Sequence, residues 1–102
     1  MKYITKILSI ENYRIETEWS DSQIRIIDLE NFVLSKSNNP NSTIAKLSDL
    51  NVFKKVKCGN DTLYWEGLIN YIDESGKECV GDLDLAPELL LDLSYIPLKK
   101  AV

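Results

Sequence analysis

Between residues 53 and 91 the chain reads FKKVKCGNDTLYWEGLINYIDESGKECVGDLDLAPELLL, its most regular succession of strand and turn signals. Segments 52–58 and 62–66 carry β-branched and aromatic residues, and both are typical of strands. The turn residues Gly59-Asn60-Asp61 lie between them, so a hairpin is the simplest connection.

A second hairpin is predicted immediately after the first. Gly67 indicates a break or bulge before a strand at 68–73. The sequence Glu74-Ser75-Gly76 suits a three-residue hairpin loop, because glycine readily adopts the left-handed conformation, and 77–83 then returns as the partner strand. Pro87 suits the first turn of a C-terminal helix.

Upstream, strands are predicted at 2–10, 13–19 and 23–27. The clearest alternation places Tyr13, Ile15, Thr17 and Trp19 on one face of the second strand. In the third strand Ile24 and Ile26 are expected to point inward. Asp28 suits the N-cap of a short helix at 28–36, and a second short helix is expected at 43–51.

These elements predict one domain, residues 1–102, of the α+β class. We expect a mainly antiparallel sheet of five to seven strands, with two or three short helices packed on one side. A chain of 102 residues is the size of a single ordinary domain. Residues 95–102 are predicted to be a frayed tail.

The charge balance and residue types exclude several functions. Lys and Arg total 12 against 16 Asp and Glu, which argues against direct nucleic-acid binding because such binding relies on cationic contacts to phosphate. Histidine is absent, so Ser-His and Cys-His nucleophile systems are excluded. No catalytic motif is present, and no cofactor or metal is predicted.

The two cysteines, Cys58 and Cys79, are far apart in a chain with no secretory signal and no run of ~20 apolar residues. We therefore expect a cytoplasmic protein with reduced thiols and no membrane association.

Six residues are candidates for partner binding. Lys54, Lys55 and Lys57 form the basic cluster of the chain, either a partner-binding ridge or charge that protects an edge strand from aggregation. Tyr64 and Trp65 are neighbours on a strand and must face opposite sides. An exposed aromatic residue beside Glu66 would be an interface anchor, and burial of both rings is the competing interpretation.

Asp82, Asp84 and Glu88 suggest a carboxylate cluster, and with it a small carboxylate-based enzyme or metal-binding protein as an alternative function. Their spacing lacks the ladder of acidic residues that forms a calcium loop. Electrostatics at the start of a helix explains them more simply.

The order of these motifs resembles the order found in the bacterial family called domain of unknown function 2442. The matching pieces are Ile24-Arg25-Ile26-Ile27-Asp28-Leu29, Val52-Phe53-Lys54-Lys55-Val56, Leu63-Tyr64-Trp65 and Asp82-Leu83-Asp84-Leu85-Ala86-Pro87-Glu88. They span nearly the whole chain. The chain departs from the family pattern where residues 66–81 insert an extra hairpin after Trp65, and where Leu85-Ala86 precedes Pro87.

The resemblance implies a function but no activity, since none is established for the family. Its members resemble small proteins encoded beside another small protein, as in toxin–antitoxin pairs, and some are fused to a helix-turn-helix region for which 102 residues leave no room. It implies a non-enzymatic, antitoxin-like interaction module whose protein partner is the product of a neighbouring gene. A role as an accessory of a DNA-binding regulator is a second alternative. A homodimer is a possible oligomeric state.

Overall fold

The computed structural model describes residues 2–39 and 41–98. They form the strands β1 (Ile4–Glu11), β2 (Arg14–Trp19), β3 (Ile24–Asp28), β4 (Lys57–Gly59), β5 (Thr62–Ile72), β6 (Glu78–Leu85) and β7 (Ser94–Tyr95). The helices are α1 (Glu30–Leu34), α2 (Leu50–Phe53) and α3 (Pro87–Asp92), with a 3-10 helix at Ile44–Ser48. The predicted α+β class, with seven strands and three short α-helices, is confirmed.

The strands are divided between two antiparallel sheets rather than joined in one. The first sheet has the order β1-β2-β3-β7, and the second has the order β4-β5-β6. One buried cluster connects them, with Trp19 contributed by the first sheet and Trp65 by the second. The three α-helices each add one buried side chain to the core, Val33, Phe53 and Leu90 respectively.

Strand β2 has the predicted alternation. Ile15, Thr17 and Trp19 are buried, and Tyr13 just before the strand is half-buried. Thr17 is the polar member of this face, and its hydroxyl donates to the Arg25 carbonyl (2.8 Å) while it accepts from Trp19 Nε1–H (2.9 Å). The buried polar groups are therefore paired, as a stable core requires.

The predicted inward face of β3 is wrong. Arg25 and Ile27 are buried, while Ile24 is exposed and Ile26 half-buried. The reason lies in the partners of Arg25, whose guanidinium bonds both carboxylate oxygens of Asp21 (3.1 and 2.8 Å) and lies 5.2 Å from the Trp19 ring centre. An arginine held in this way can take an inward position that polarity alone assigns to solvent.

The strand predicted at 52–58 is also wrong over most of its length. Helix α2 covers Leu50–Phe53, and only Lys57–Gly59 pairs as β4. Asp49 caps the helix, because its carboxylate accepts from the Asn51 N–H at 2.9 Å. The helical turn directs Phe53 into the core, with its ring centre 5.3 Å from that of Tyr13 and 5.8 Å from that of Trp65.

The predicted helix starts and chain end are partly as expected. The N-cap of α1 is Leu29 rather than Asp28, although the Asp28 carboxylate accepts from the Glu30 N–H at 3.1 Å. Tyr95, the first residue of the predicted tail 95–102, pairs with Ile26 in β7. Residues 99–102 of that tail lie outside the described residues.

The molecule is elongated, with principal extents of 58 × 28 × 20 Å, and the β5–β6 hairpin contains its longest described strand, β5 with 11 residues. The radius of gyration is 15.0 Å, against about 13 Å for a compact domain of this length. Gly67 has a φ of 66° and stands at a register shift between Trp65 and Ile69, which confirms the predicted bulge. Beyond the bulge, residues 68–72 extend β5 by roughly 17 Å at ~3.3 Å per residue. We call residues 68–81 the hairpin arm.

Candidate interaction site

The second sheet has one face in the core and one face in solvent. Leu63, Trp65, Leu83 and Leu85 are buried on the inner face. The outer face carries Tyr64, which lies opposite Lys57 on β4 and opposite Asp84 on β6. The predicted opposition of Tyr64 and Trp65 is thus confirmed. Trp65 is only 1% exposed and donates through Nε1–H to the Phe53 carbonyl at 2.9 Å, so its ring is a core group.

Tyr64 is seated on the backbone of β4. A Cβ atom added at Gly59 would lie 2.9 Å from Tyr64 Cε1, so glycine allows the ring to rest against the neighbouring strand. The ring forms part of a shallow cavity of about 310 Å³ that also includes the carboxylates of Glu66, Asp82 and Asp84. This cavity is the centre of the outer face.

The charge of the outer face is predominantly negative. Lys57 Nζ lies 3.0 Å from Glu66 Oε1, and this hydrogen bond raises the pKa of Lys57. Asp82 accepts from the Gly67 N–H at 3.0 Å and so fixes the bulge. No lysine or arginine of the described residues lies within 4.0 Å of the Asp82 or Asp84 carboxylate. The outer face therefore presents uncompensated negative charge around one tyrosine.

Four of the six predicted partner-binding residues lie around one further cavity of about 400 Å³, which is lined by Val52, Lys55, Lys57, Trp65, Glu66 and Leu68. Lys54 caps the C-terminal end of α2 and is exposed outside both cavities. Lys55 lies in the turn after α2 and Lys57 lies on β4, and both line the larger cavity. Lys57 links the two cavities through its ion pair with Glu66.

The hairpin arm exposes apolar side chains that the prediction of site residues missed. Ile72 is 69% exposed and Val80 is 64% exposed, and both lie on the outer face. On the inner face Tyr71 is half-exposed opposite Cys79. Strands were predicted at 68–73 and 77–83, but a strand prediction does not reveal how far a hairpin extends beyond the core.

The tip of the arm is a tightly hydrogen-bonded turn. The Asp73 carboxylate accepts from the Ser75 hydroxyl and from the N–H groups of Ser75 and Lys77, at 2.6 to 3.0 Å. These bonds, led by that from the Ser75 hydroxyl, lower the pKa of Asp73. At the base, Lys46 Nζ donates to the Leu68 carbonyl at 2.8 Å. The arm is thus fixed at both ends.

The outer edge of β6 is the longest regular edge in the described chain. β6 has eight residues, pairs with β5 on one side and has no strand on the other. Its side chains alternate, with Glu78, Val80, Asp82 and Asp84 exposed on the outer face. Three carboxylates therefore border a row of unpaired backbone groups.

The carboxylates suggested by the sequence do not converge on a metal site. Asp82 and Asp84 lie on the outer face of β6, while Glu88 lies in the first turn of α3. Within residues 2–39 and 41–98, no three His, Cys, Asp or Glu side chains are grouped so that they could hold a metal ion.

The two thiols occupy different surroundings and are both free. Cys58 Sγ lies 3.7 Å from the Ile4 carbonyl oxygen, and burial raises the pKa of this thiol. Cys79 Sγ lies 3.5 Å from the Asp73 carboxylate in the hairpin arm.

Two further findings bear on the class of protein. No helix in the part of the chain that the structure describes is long and apolar enough to cross a bilayer. No family model, no curated protein and no solved structure matches the chain. The class is therefore defined by the fold, an α+β protein of two small antiparallel sheets with a projecting hairpin.

Proposed function

We propose that this protein is a non-enzymatic protein-interaction module that binds a protein partner through the hairpin arm and the outer face of β4, β5 and β6. The observation that carries the proposal is the arm itself. It extends beyond the bulge at Gly67, exposes apolar side chains at Ile72 and Val80, and includes part of the open edge of β6.

Burial of the exposed arm residues would favour binding. An Ile or Val side chain that moves from full exposure to full burial gains roughly 1.5–3 kcal/mol. Since Ile72 and Val80 are each about two-thirds exposed, the pair offers about 2–4 kcal/mol to a partner. Tyr64 adds an aromatic group of the kind enriched in interface hot spots.

The resemblance to domain of unknown function 2442 supports a more specific proposal. We propose that the partner is the product of a neighbouring gene and that the pair acts in the bacterial cytoplasm as a toxin and its antitoxin. The hairpin arm coincides with the inserted segment 66–81, so it would distinguish this chain's partner from those of proteins without it.

Co-expression with the product of the neighbouring gene tests both levels of the proposal. We expect the two proteins to co-purify, and we expect withholding this protein to impair growth of the host that carries the neighbour. If the neighbour neither binds nor affects growth, the antitoxin-like role is wrong.

A pair of double variants tests the arm. We expect Ile72→Ser with Val80→Ser to weaken co-purification at least tenfold, since about 2 kcal/mol corresponds to roughly thirtyfold in affinity. The matched control is Leu8→Ser with Leu34→Ser, because these side chains are also apolar and exposed (38% and 43%) but lie away from the arm. Equal loss of binding in both variants would contradict an arm-specific interface.

The alternative of a carboxylate-based enzyme has one supporting observation, the cavity that contains Glu66, Asp82 and Asp84. This cavity is shallow and solvent-facing, whereas carboxylate catalysis relies on burial to shift a pKa toward neutrality. The geometry therefore favours binding over catalysis. The acidic outer face likewise favours a protein partner over nucleic acid.

A further inference from the structure

We propose that the partner contributes an extended basic segment that pairs with the outer edge of β6 as a fourth strand of the second sheet. This inference rests on the proposed function and specifies the chemistry of the partner. Edge strands with unpaired N–H and C=O groups are templates for strand addition, which supplies main-chain hydrogen bonds along the whole added segment.

The four sheet edges in the described residues differ in their suitability for such pairing. β7 has two residues and β4 has three, so neither offers a long ladder. β1 is longer but irregular, with register shifts at Ile4/Lys6 and Ile7/Ser9, and its Ile4 N–H already donates to the Asp61 carbonyl. β6 offers eight residues, and the bulge at Gly67 lies entirely on β5.

The regularity of β6 follows from the register across the bulge. From Trp65↔Leu83 to Ile69↔Gly81, β5 advances by four residues while β6 advances by two. The additional residues are therefore accommodated by β5, and the alternation of β6 continues unbroken from Glu78 to Leu85. An added strand could follow the edge without a break in register.

Charge determines which strand fits this edge. On the outer face β6 presents Asp84, Asp82, Val80 and Glu78 in succession. Like charges directly opposite each other in a sheet are destabilising, and opposite charges are stabilising. A second copy of this chain paired edge to edge would bring three carboxylates of one β6 beside three of the other. The charges thus oppose self-pairing and favour a basic strand.

The succession of side chains defines the partner segment. Opposite Asp84, Asp82 and Glu78 it carries Lys or Arg, and opposite Val80 it carries an apolar residue. Because alternate residues point to opposite faces, these four positions are separated by single residues that face inward. Read from the position opposite Asp84, the recognised pattern is therefore basic, inward, basic, inward, apolar, inward, basic, and a strand antiparallel to β6 has this order from its N-terminus.

A synthetic peptide with the sequence Lys-Thr-Lys-Val-Leu-Thr-Lys, acetylated and amidated, tests this pattern against the full chain by NMR titration. We expect amide shifts and slowed hydrogen exchange in Glu78–Leu85, and an affinity that falls as salt is raised. A peptide with Glu in place of each Lys should bind at least tenfold more weakly. Equal binding of the acidic peptide would overturn the proposal.

N-methylation of the peptide distinguishes strand addition from simple charge attraction. Methyl groups on every second backbone nitrogen, in the two alternative phases, block either the edge that faces β6 or the edge that faces solvent. We expect one phase to abolish binding and the other to preserve it. Equal affinity of the two phases would show that no ladder forms and would overturn the proposal.

A charge-swapped variant of the chain guards against effects of misfolding. Glu78→Lys with Asp84→Lys should lower the affinity for the basic peptide and raise the affinity for the acidic peptide, each by about tenfold for two exposed cross-strand pairs. A misfolded chain would lose affinity for the basic peptide without gaining affinity for the acidic peptide. Unchanged affinities for both peptides would overturn the assignment to this edge.

Two further outcomes separate this inference from the proposed function. If sedimentation shows a dimer with exchange protection in β6, the occupant is a second copy and the inference is wrong. If the basic peptide does not bind the chain, but the Ile72→Ser, Val80→Ser variant still fails to co-purify with the neighbouring gene product, strand addition is wrong. The proposal of a protein-interaction module is then retained.

Discussion

The hydroxyl of Thr17 offers the sharpest test of how the core is held together, through the substitution Thr17→Val. Thr17 is fully buried on β2 and lies opposite Arg25 of β3. Valine has nearly the same shape and is more apolar, so an account based on burial alone predicts a gain in stability. We expect a loss, because the hydroxyl accepts from Trp19 Nε1–H and donates to the Arg25 carbonyl.

The size of the loss follows from these two bonds. Trp19 is 1% exposed, so without the hydroxyl its indole N–H loses, in a buried site, the acceptor that the described residues provide, at a cost of about 1–3 kcal/mol. Loss of the bond to the Arg25 carbonyl adds about 0.5–1.5 kcal/mol. Allowing for the apolar gain of valine, we expect about 2–3 kcal/mol. With an unfolding entropy of ~2.1 cal/mol/K per residue, Tm falls by about 9 to 14 °C.

Calorimetry and urea denaturation of Thr17→Val, Thr17→Ser, Trp19→Phe and the Thr17→Val, Trp19→Phe double variant measure this loss of stability. Thr17→Ser keeps the hydroxyl and removes one methyl group, so it should cost only about 1 kcal/mol. In the background of Trp19→Phe, which lacks the donor, Thr17→Val should cost about 1–2 kcal/mol less than in the parent chain. If Thr17→Val changes stability by less than about 0.5 kcal/mol and its effect adds simply to that of Trp19→Phe, the two hydrogen bonds of the Thr17 hydroxyl do not stabilise the core.

Three further predictions concern local structure. Asp49→Ala removes the cap of α2 and should lower stability by about 1 kcal/mol in urea denaturation, whereas Asp49→Asn should cost less, and equal effects of the two would contradict the capping role. Gly67→Ala places a side chain at a φ of 66°, so it should lower the free energy of unfolding by about 1 kcal/mol and speed amide exchange in the hairpin arm. Gly67→Asn should have a smaller effect because Asn tolerates this conformation. Unchanged amide exchange in Gly67→Ala would refute the predicted strain. Because the pKa of Asp73 is lowered in the folded chain, the stabilisation of the arm tip by its carboxylate is present above about pH 4 and is lost as the pH falls through the folded pKa. At such low pH the Ser75 and Lys77 amides should therefore exchange faster relative to those of the Asp73→Asn control, whose side chain does not titrate.

Sequence patterns predicted β2 well because one face of that strand is buried without exception. Each inward position from Ile15 to Trp19 is apolar or, at Thr17, small enough to bond within the core. The same rule failed for β3, where the inward position of Arg25 depends on Asp21 four residues earlier and on Trp19. Such a pairing is visible only when the strands are placed side by side.

The strand prediction for residues 52–58 failed for a different reason. Val52, Phe53 and Val56 have residue types common in strands, and intrinsic preference is weak compared with packing. The Asp49 cap and the position of Phe53 between Tyr13 and Trp65 favour a helical turn. Neither the cap nor the aromatic contacts can be recognised from a single strand-like segment.

The candidate site was predicted only in part, because its residues meet across strands. The lysine cluster and the Tyr64-Trp65-Glu66 run are adjacent in sequence, and the structure brings Lys57 and Glu66 together. The acidic edge of β6 depends on β6 being the last strand of its sheet. Strand order is a property of tertiary structure, so alternation within 77–83 indicates a strand but not an open edge.

Gly67 divides the β5–β6 hairpin into a part that packs in the core and a part that is exposed to solvent, where we propose that the partner binds. Before the bulge, Trp65 pairs with Leu83 and both side chains are buried in the core. After it, Ile72 and Val80 are exposed, so removing their side chains forfeits little core packing. Substitutions in the arm should therefore change binding while leaving stability nearly constant. For this reason the arm variants can report on function separately from folding.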